Sequence, residues 1–170
     1  FMRKILIIFG TRPEAIKMAS LFIALKKGFD VKICVTAQHR EMLDQVLRVF
    51  DINPDFDLNI MKSDQDLFDV TNQVLFGTKN IILEFDPDLV MVHGDTSTSM
   101  AASIAAFYLK KPIAHIEAGL RTYDINSPFP EEFNRQIVSK VSKFHFSPTK
   151  QAKENLLHEK VDIGNIYVTG

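Results

Sequence analysis

The sequence predicts an α/β fold built on a doubly wound parallel sheet, and three observations carry that prediction. Short apolar, strand-like runs alternate with helical patterns along the whole of the 170 residues. The runs are almost continuously apolar, which is typical of strands covered on both faces. The first of them, Lys4–Phe9, stops at Gly10 and is followed at once by a helix start. Right-handed crossovers then place helices on both faces of the sheet, in a Rossmann-like arrangement.

The individual elements follow from these patterns. The predicted strands are Lys4–Phe9, Val31–Val35, Phe56–Ile60, Leu89–His93, Pro112–Ile116, Lys143–Phe146 and Ile166–Val168. The predicted helices are Met18–Lys27 with the turn before it, Arg40–Phe50, Asp66–Phe85, Ser97–Leu109, Glu131–Val141 and Thr149–Leu157. Helical spacing of apolar residues or a high alanine content supports each of them. Gly77 predicts a weak point or an interruption in the third helix.

Composition narrows the functional classes. A chain of this length forms one domain with a substantial core, and 46% hydrophobic with 24% charged residues is typical of a globular protein. The formal net charge of -1 gives no basic field, so we expect neither a nucleic-acid partner nor an anionic membrane partner. No apolar run is long enough to cross a bilayer. The single cysteine, Cys34, lies in an apolar run and is expected to be a buried thiol, which fits a cytoplasmic location.

Several familiar motifs are absent from the sequence. There is no G-x-G-x-x-G dinucleotide fingerprint, no P-loop and no G-x-S-x-G nucleophile elbow. Neither a His-x₃-His pair, a cysteine pair nor a calcium-loop spacing is present. We therefore expect no metal and no cofactor.

The first helix start is suited to an anion. Thr11 and Glu14 have the spacing of a capping box, and Pro13 fits a first helical turn. Arg12 and Lys17 add two cations where the helix already carries positive potential, an arrangement that suits a phosphate or diphosphate. The alternative, a capped helix with two solvated basic residues, is equally compatible with this stretch.

Polar residues follow the other strands as well, and the carboxyl ends of parallel strands meet at one edge of the sheet. This group consists of Gln38, His39, Arg40, His93, Asp95, Thr96, Ser97, Glu117, Gly119, Arg121, Thr122, Glu131, Glu132, Asn134 and Arg135. An anion-binding helix start beside several carboxylates suits proton transfer on a phosphorylated or nucleotide-linked substrate.

Structural alternatives exist for these residues. Asp95, Thr96 or Ser97 can each cap the following helix. Glu131 and Glu132 suit a helix N-terminus by their charge alone. The histidines of the apolar strands, His93 and His115 among them, are expected to be packing residues.

Five ordered motifs resemble the bacterial UDP-N-acetylglucosamine 2-epimerases. They are Gly10–Lys17 (GTRPEAIK), Thr36–Arg40 (TAQHR), Val92–Thr96 (VHGDT), His115–Thr122 (HIEAGLRT) and Pro130–Arg135 (PEEFNR). The resemblance implies the first half of a two-domain protein of the glycosyltransferase-B type, with residues 1–170 as the amino-terminal domain. The second domain, which grips most of UDP, would lie outside this sequence, and the end of the chain directly after a strand fits this expectation.

The resemblance also implies an activity. The family interconverts UDP-N-acetylglucosamine and UDP-N-acetylmannosamine by removing the C2 proton, eliminating UDP and adding it back. Its catalytic acids fall on Asp95, Glu117 and Glu131, with base and acid unassigned. Substrate contacts are expected from Arg12, Lys17, Arg121, Asn134 and Arg135, and a second, activating substrate site from Gln38 and His39 together with Glu131. UDP-N-acetylglucosamine is the expected partner, and the full-length enzyme is expected to be a homodimer.

Two other functional classes fit the same residues. One is a non-catalytic domain that binds a nucleotide sugar or takes part in assembly, because the UDP-gripping half is missing from the sequence. The other is half of a glycosyltransferase-B enzyme, although three acids at one strand edge disfavour plain sugar transfer.

Overall fold

The structure is a computed structural model that describes residues 2–37, 40–62 and 64–170. Seven parallel strands form one sheet. They are β1 (Lys4–Phe9), β2 (Asp30–Val35), β3 (Phe56–Asp57), β4 (Leu89–His93), β5 (Ile113–Ile116), β6 (Phe144–Ser147) and β7 (Ile166–Val168). The helices are α1 (Arg12–Leu25), α2 (Arg40–Val49), α3 (Leu67–Phe85), α4 (Ser97–Tyr108), α5 (Glu131–Val141) and α6 (Lys150–His158), and a 3-10 turn covers Ile163–Asn165.

The strand order is β3-β2-β1-β4-β5-β6-β7. The chain therefore starts in the middle of the sheet, builds outward through β2 and β3, and then returns to build the other half from β4. The direction of winding reverses between β1 and β4, which pair in parallel with Ile8 opposite Val92. In open α/β sheets this reversal opens a crevice at the carboxyl ends of the two strands, where ligands bind.

Both faces of the central strands are buried, which explains the continuous apolar run of β1. Ile5, Ile7 and Phe9 point to the layer that contains α1 and α2. Leu6 and Ile8 point to the opposite layer, with α3, α4 and α5. The alternation follows the two-residue period of a strand, and each fully buried side chain of this size stabilises the fold by about 1.5–3 kcal/mol.

The predicted fold class and element order are confirmed, with small shifts at the ends of elements. The expected interruption of α3 at Gly77 was wrong, because the helix is continuous. A Cβ at position 77 would lie 2.7 Å from both Leu58 methyl carbons, so this glycine lets Leu58 pack against the helix backbone. β3 ends at Asp57 rather than Ile60, because Asn59 adopts a left-handed conformation and donates its N–H to the Asp57 carboxylate at 2.9 Å.

Cys34 is completely buried in β2, as predicted. Burial, with a contribution from the charge of Asp57, raises the pKa of its thiol to about 12, so the thiol is chemically inert near neutral pH. Among the described residues, no helix combines the length and the apolar character that crossing a membrane requires.

Candidate active site

The turn between β1 and α1 has the predicted capping box. Thr11 is the N-cap, Glu14 is the third helical residue, and the proline lies in the first turn. Gly10 allows a close approach, because an added Cβ would lie 2.2 Å from the Thr36 hydroxyl and 2.8 Å from that of Thr98. The turn is therefore packed against the neighbouring strand end and against α4. Arg12, the first residue of α1, and Lys17, further along the same helix, are both exposed.

The turn between β4 and α4 leaves Asp95 free of a capping role. Thr96 is the N-cap of α4, and its hydroxyl accepts the N–H of Ser99 at 3.1 Å. The Asp95 carboxylate instead pairs with the guanidinium of Arg135, with 2.7 Å between Oδ2 and Nη2. The Asp95 carbonyl accepts the side-chain amide of Asn134 at 2.9 Å. Two predicted substrate-binding residues on α5 therefore hold a predicted catalytic residue, one by its carboxylate and the other by its backbone carbonyl.

Glu117 follows β5 in a left-handed conformation, with φ of 64°. A glutamate seldom adopts this conformation, and such strain concentrates at functional sites. Its carboxylate forms an ion pair with Lys17, 100 residues earlier in the chain. The same oxygen lies 3.4 Å from Nε2 of His93. The structure thus brings together a predicted catalytic acid and a predicted diphosphate ligand.

The pKa of Asp95 depends on the charges of the other two predicted catalytic carboxylates. Burial raises the pKa of Asp95, the guanidinium of Arg135 lowers it, and the charges of Glu131 and Glu117 raise it. The net direction is upward. A raised pKa favours the protonated form of a carboxyl, which suits a group that acts as an acid in proton transfer.

Glu132, the neighbour of Glu131, has a role that the sequence did not indicate. Its completely buried carboxylate accepts the backbone N–H groups of Thr122 and Tyr123, at 3.0 and 3.2 Å, and the amide of Gln136 at 2.8 Å. Burial acts to raise the pKa of Glu132, but these hydrogen bonds outweigh it and lower the pKa. Glu132 therefore fastens the loop after β5 to α5.

Arg121 is placed differently from the other predicted substrate ligands. Its side chain is completely buried and forms a double contact with Glu159, at 2.6 and 3.0 Å. It also donates to the Ser139 hydroxyl at 2.9 Å. These partners give Arg121 a structural task, and its contact with substrate stays a prediction. The predicted activating site falls on Gln38 and His39, which lie outside the described residues.

The strand histidines are buried, as expected for packing residues, yet two of them also touch the site. Nε2 of the fully buried His115 lies 2.7 Å from the carbonyl oxygen of Gly94, in the turn that carries Asp95. Burial lowers the pKa of His115 to about 3, so its ring is neutral and supports the turn by a hydrogen bond. Burial also lowers the pKa of His93, against the charge of Glu117. Their place at the ends of adjacent strands was the sequence signal for these contacts.

Across the ranges that the structure describes, no three His, Cys, Asp or Glu side chains converge in a way that could hold a metal ion. The groups available at the site are carboxylates, cations and a neutral imidazole. Their arrangement suits proton transfer next to an anion.

Comparison with known proteins identifies the family of the chain. The family model described as UDP-N-acetylglucosamine 2-epimerase matches residues 23–170. The UDP-N-acetylglucosamine 2-epimerase of Escherichia coli (strain K12) is 56% identical over 169 residues, which are 98% of this chain and 45% of the relative. That of Campylobacter jejuni is 54% identical over 170 residues, 99% of this chain and 44% of the relative.

Solved structures agree. The UDP-GlcNAc 2-epimerase from Neisseria meningitidis, bound to UDP-GlcNAc, superposes with a TM-score of 0.94 at 53% identity, over 98% of this chain and 46% of that chain. MurG from Acinetobacter baumannii, at 16% identity and a TM-score of 0.65, shares the fold. The chain spans less than half the length of the curated relatives it matches. By its family match and these identities, the chain belongs to the UDP-N-acetylglucosamine 2-epimerase family.

Proposed function

We propose that this chain is the first of two domains of an enzyme that interconverts UDP-N-acetylglucosamine and UDP-N-acetylmannosamine. One observation carries the proposal: Asp95 and Glu117 follow the adjacent strands β4 and β5, and their carboxylates pair there with the cations Arg135 and Lys17. The charge of Glu131 also acts on Asp95. The relative from Neisseria meningitidis, whose structure has UDP-GlcNAc bound, supports the choice of substrate.

The reaction needs both a base and an acid, because the C2–H bond of the sugar is a poor proton donor. A base removes the C2 proton, and the electron pair forms the C1–C2 double bond as UDP leaves C1 with the C1–O pair. The products of this half-reaction are a 2-acetamidoglucal and UDP. UDP then adds back to C1 while a proton arrives at C2 on the opposite face, which inverts that carbon and restores the nucleotide sugar.

We assign the base to Glu117 and the acid to Asp95 for one direction of the reaction. The ion pair with Lys17 favours the carboxylate form of Glu117, which is the form that a base needs. Burial, with the charges of Glu131 and Glu117, raises the pKa of Asp95 on balance, even beside the guanidinium of Arg135, and this shift favours the protonated form that an acid needs. In the reverse direction the two residues exchange roles, since every step retraces itself.

Arg12 and Lys17 are proposed to stabilise the negative charge of the departing diphosphate. Lys17 contacts Glu117 as well, so the cation that meets the leaving group also touches the proposed base. Binding of the diphosphate then competes with Glu117 for the lysine, which frees the carboxylate to accept the C2 proton.

The experiment uses a two-domain protein in which this chain is joined to the remaining half of the Escherichia coli relative. We expect it to approach one equilibrium mixture of the two nucleotide sugars from either side, because the glucal and UDP stay together in a closed cleft. Accumulation of free UDP and free N-acetylmannosamine, with no epimeric nucleotide sugar at any time, contradicts the proposal. The 170-residue chain alone is expected to turn over little substrate, since it lacks half of the cleft.

The proposed assembly is a homodimer in the cytoplasm. Its two subunits contact each other through α3. Phe68, Phe76 and Leu83 lie along one side of this helix with 84%, 56% and 60% of their surfaces exposed. An apolar stripe of this kind is typical of an interface. Sedimentation of the two-domain protein should show a dimer that Phe76→Glu dissociates, whereas Ile163→Glu, at an exposed position away from α3, leaves it intact. A monomer before mutation contradicts this assembly.

A further inference from the structure

We infer that Glu14 is a positioning residue that fixes the start of α1, which carries Arg12 and Lys17, relative to the turn carrying Asp95. The inference rests on the proposed function, since it concerns how two parts of that site keep their separation. Sequence spacing assigns Glu14 only to the cap of α1. Its contacts extend beyond that helix.

The two carboxylate oxygens of Glu14 face different turns. Oε2 accepts the backbone N–H groups of Gly10 and Thr11, at 3.0 and 2.8 Å, and the Thr11 hydroxyl at 2.8 Å. Oε1 accepts the hydroxyl of Thr96, at 2.9 Å and 82 residues away in the chain. One side chain therefore joins the β1–α1 turn to the β4–α4 turn across the point where the sheet reverses its winding.

Thr96 is the donor that makes this connection. The Ser99 hydroxyl also lies 3.3 Å from Oε1 of Glu14, but it is 2.5 Å from the carbonyl oxygen of His93. A hydroxyl has one proton, and the closer carbonyl takes it. Thr96 accepts the Ser99 N–H with a lone pair, which leaves its own proton for Glu14. The connection between the turns consequently depends on one O–H···O bond.

A capping role does not account for this arrangement. A capping glutamate needs only the N–H of the N-cap residue and can remain at the surface. Glu14 is 2% exposed, and burial raises its pKa against the pull of its hydrogen bonds. Burying a carboxyl is unfavourable unless its partners are well placed. The bond to Thr96 adds nothing to the end of α1, so its contribution lies in holding the two turns together.

The turn of Asp95 is supported from two other sides. His115 bonds to the Gly94 carbonyl from within the sheet, and Asn134 bonds to the Asp95 carbonyl from α5. Neither of them reaches α1. Within the described part of the chain, Glu14 is the side chain whose hydrogen bonds connect this turn to the start of α1. Loss of that bond changes the distance between the proposed diphosphate cations, which act at C1, and the proposed acid, which acts at C2.

The test compares two matched threonine variants of the two-domain protein. Thr96→Val removes the donor that joins the turns, whereas Thr11→Val removes a donor to the same carboxylate within a single turn. We expect Thr96→Val to lower kcat by roughly 10–100-fold with KM changed by less than about threefold, because the reacting groups are misplaced while binding persists. Thr11→Val should keep kcat within about threefold, and Thr96→Ser should restore it.

The cap of α4 requires its own control, since Thr96 also accepts the Ser99 N–H. Thr96→Asp keeps an acceptor for this N–H but has no proton for Glu14 when ionised. We expect its kcat to fall as far as that of Thr96→Val. Full activity of Thr96→Asp or Thr96→Val, or an equal loss in Thr11→Val, overturns the inference.

A second measurement separates this inference from the proposed function. If the unmodified two-domain protein has no epimerase activity, the proposed function fails, and amide NMR of the 170-residue chain then decides the role of Glu14. Thr96→Val should shift the amide resonances of Gly10 and Thr11, and Thr96→Ser should leave them near their original positions. Unshifted resonances in Thr96→Val overturn the connection between the turns.

Discussion

The two ends of the sheet each carry a lysine–acid pair, and the pairs differ in what lies beneath them. At the amino end, Lys111 pairs with Asp86 at 2.5 Å, and the aspartate side chain is 77% exposed. At the carboxyl end, Lys17 pairs with Glu117, whose side chain is only 28% exposed and touches a buried histidine. Water surrounds the carboxylate of the first pair and reaches much less of the carboxylate of the second. The surroundings of an ion pair, rather than the pair itself, therefore indicate function.

The backbone conformations of the two acids are alike, but the conformation is usual for only one of them. Asp86 and Glu117 both adopt left-handed conformations, with φ of 51° and 64°. Asp86 ends α3 there, at a helix end where such a conformation is common and where aspartate tolerates it. Glu117 has no helix to end, and glutamate is seldom found in this region. The residue with the strained backbone is therefore the one whose carboxylate lies between Lys17 and the buried histidine.

The largest expected effect separates these two acids. In the two-domain protein, Glu117→Gln should lower kcat by about 10²–10⁴, the usual range for the loss of a general acid or base. Asp95→Asn and Glu131→Gln should fall in the same range. Asp86→Asn is the matched control at the amino end and should keep kcat within about twofold. Normal rates for all three site variants at unchanged stability would make these acids structural.

A pair of glycines extends the comparison to stability. Gly119 follows β5 with φ of 94°, and an added Cβ would lie 2.2 Å from the carbonyl oxygen of Ala152. Gly119→Ala should therefore reduce the free energy of unfolding by roughly 2–5 kcal/mol. At Gly28, before β2, an added Cβ meets no atom within 4 Å, so Gly28→Ala should be neutral or stabilising by up to about 1 kcal/mol. Urea titration of the 170-residue chain measures both, and equal effects would contradict the difference.

The buried histidines near the carboxyl end of the sheet predict that the stability of the fold depends on pH. The pKa of His115 is about 3 in the folded state and 6.5 for an ordinary histidine, so the unfolded chain binds more protons between these values. Stability should fall as the pH drops below about 6.5, by up to roughly 2 kcal/mol at pH 5 from this residue. The lowered pKa values of His93 and His145 act in the same direction.

His115→Gln should make that fall smaller, because it removes one of the groups that must gain a proton on unfolding. The exposed His158, at the end of α6, is the control, and His158→Gln should preserve the full dependence. Urea titrations of the chain at pH 7 and pH 5 give both differences. If the free energy of unfolding decreased equally in His115→Gln and in the parent chain, His115 would not contribute to the pH dependence.

The smallest expected effect belongs to the amino-end pair. The hydrogen bond and charge of Lys111 lower the pKa of Asp86, yet the carboxylate is surrounded by solvent. Lys111→Gln should leave the urea midpoint of the chain unchanged within error at 0.15 M salt. A clear loss of stability would mean that exposure alone does not distinguish the two pairs.

The sequence was sufficient for the fold and for much of the candidate site. Apolar runs and helical spacing are local signals, and the strand-end rule was enough to group Asp95 with Glu117. Contacts between segments that are distant in the chain could not be predicted from the sequence. Arg121 precedes its partner Glu159 by 38 residues, and Glu14 precedes Thr96 by 82. A pattern of spacing contains no information on such partners, because they are chosen by the packing of turns that only the folded chain brings together.

Deuterium incorporation at C2 of the sugar reports proton abstraction directly. The two-domain protein is incubated with UDP-N-acetylglucosamine in deuterium oxide, and C2 of the recovered nucleotide sugars is examined by NMR. We predict that deuterium enters C2 in both epimers, because the removed proton exchanges with solvent before one returns. Epimers that interconvert with protium retained at C2, or no conversion at all despite bound substrate, would contradict proton abstraction by the carboxylates at this edge of the sheet.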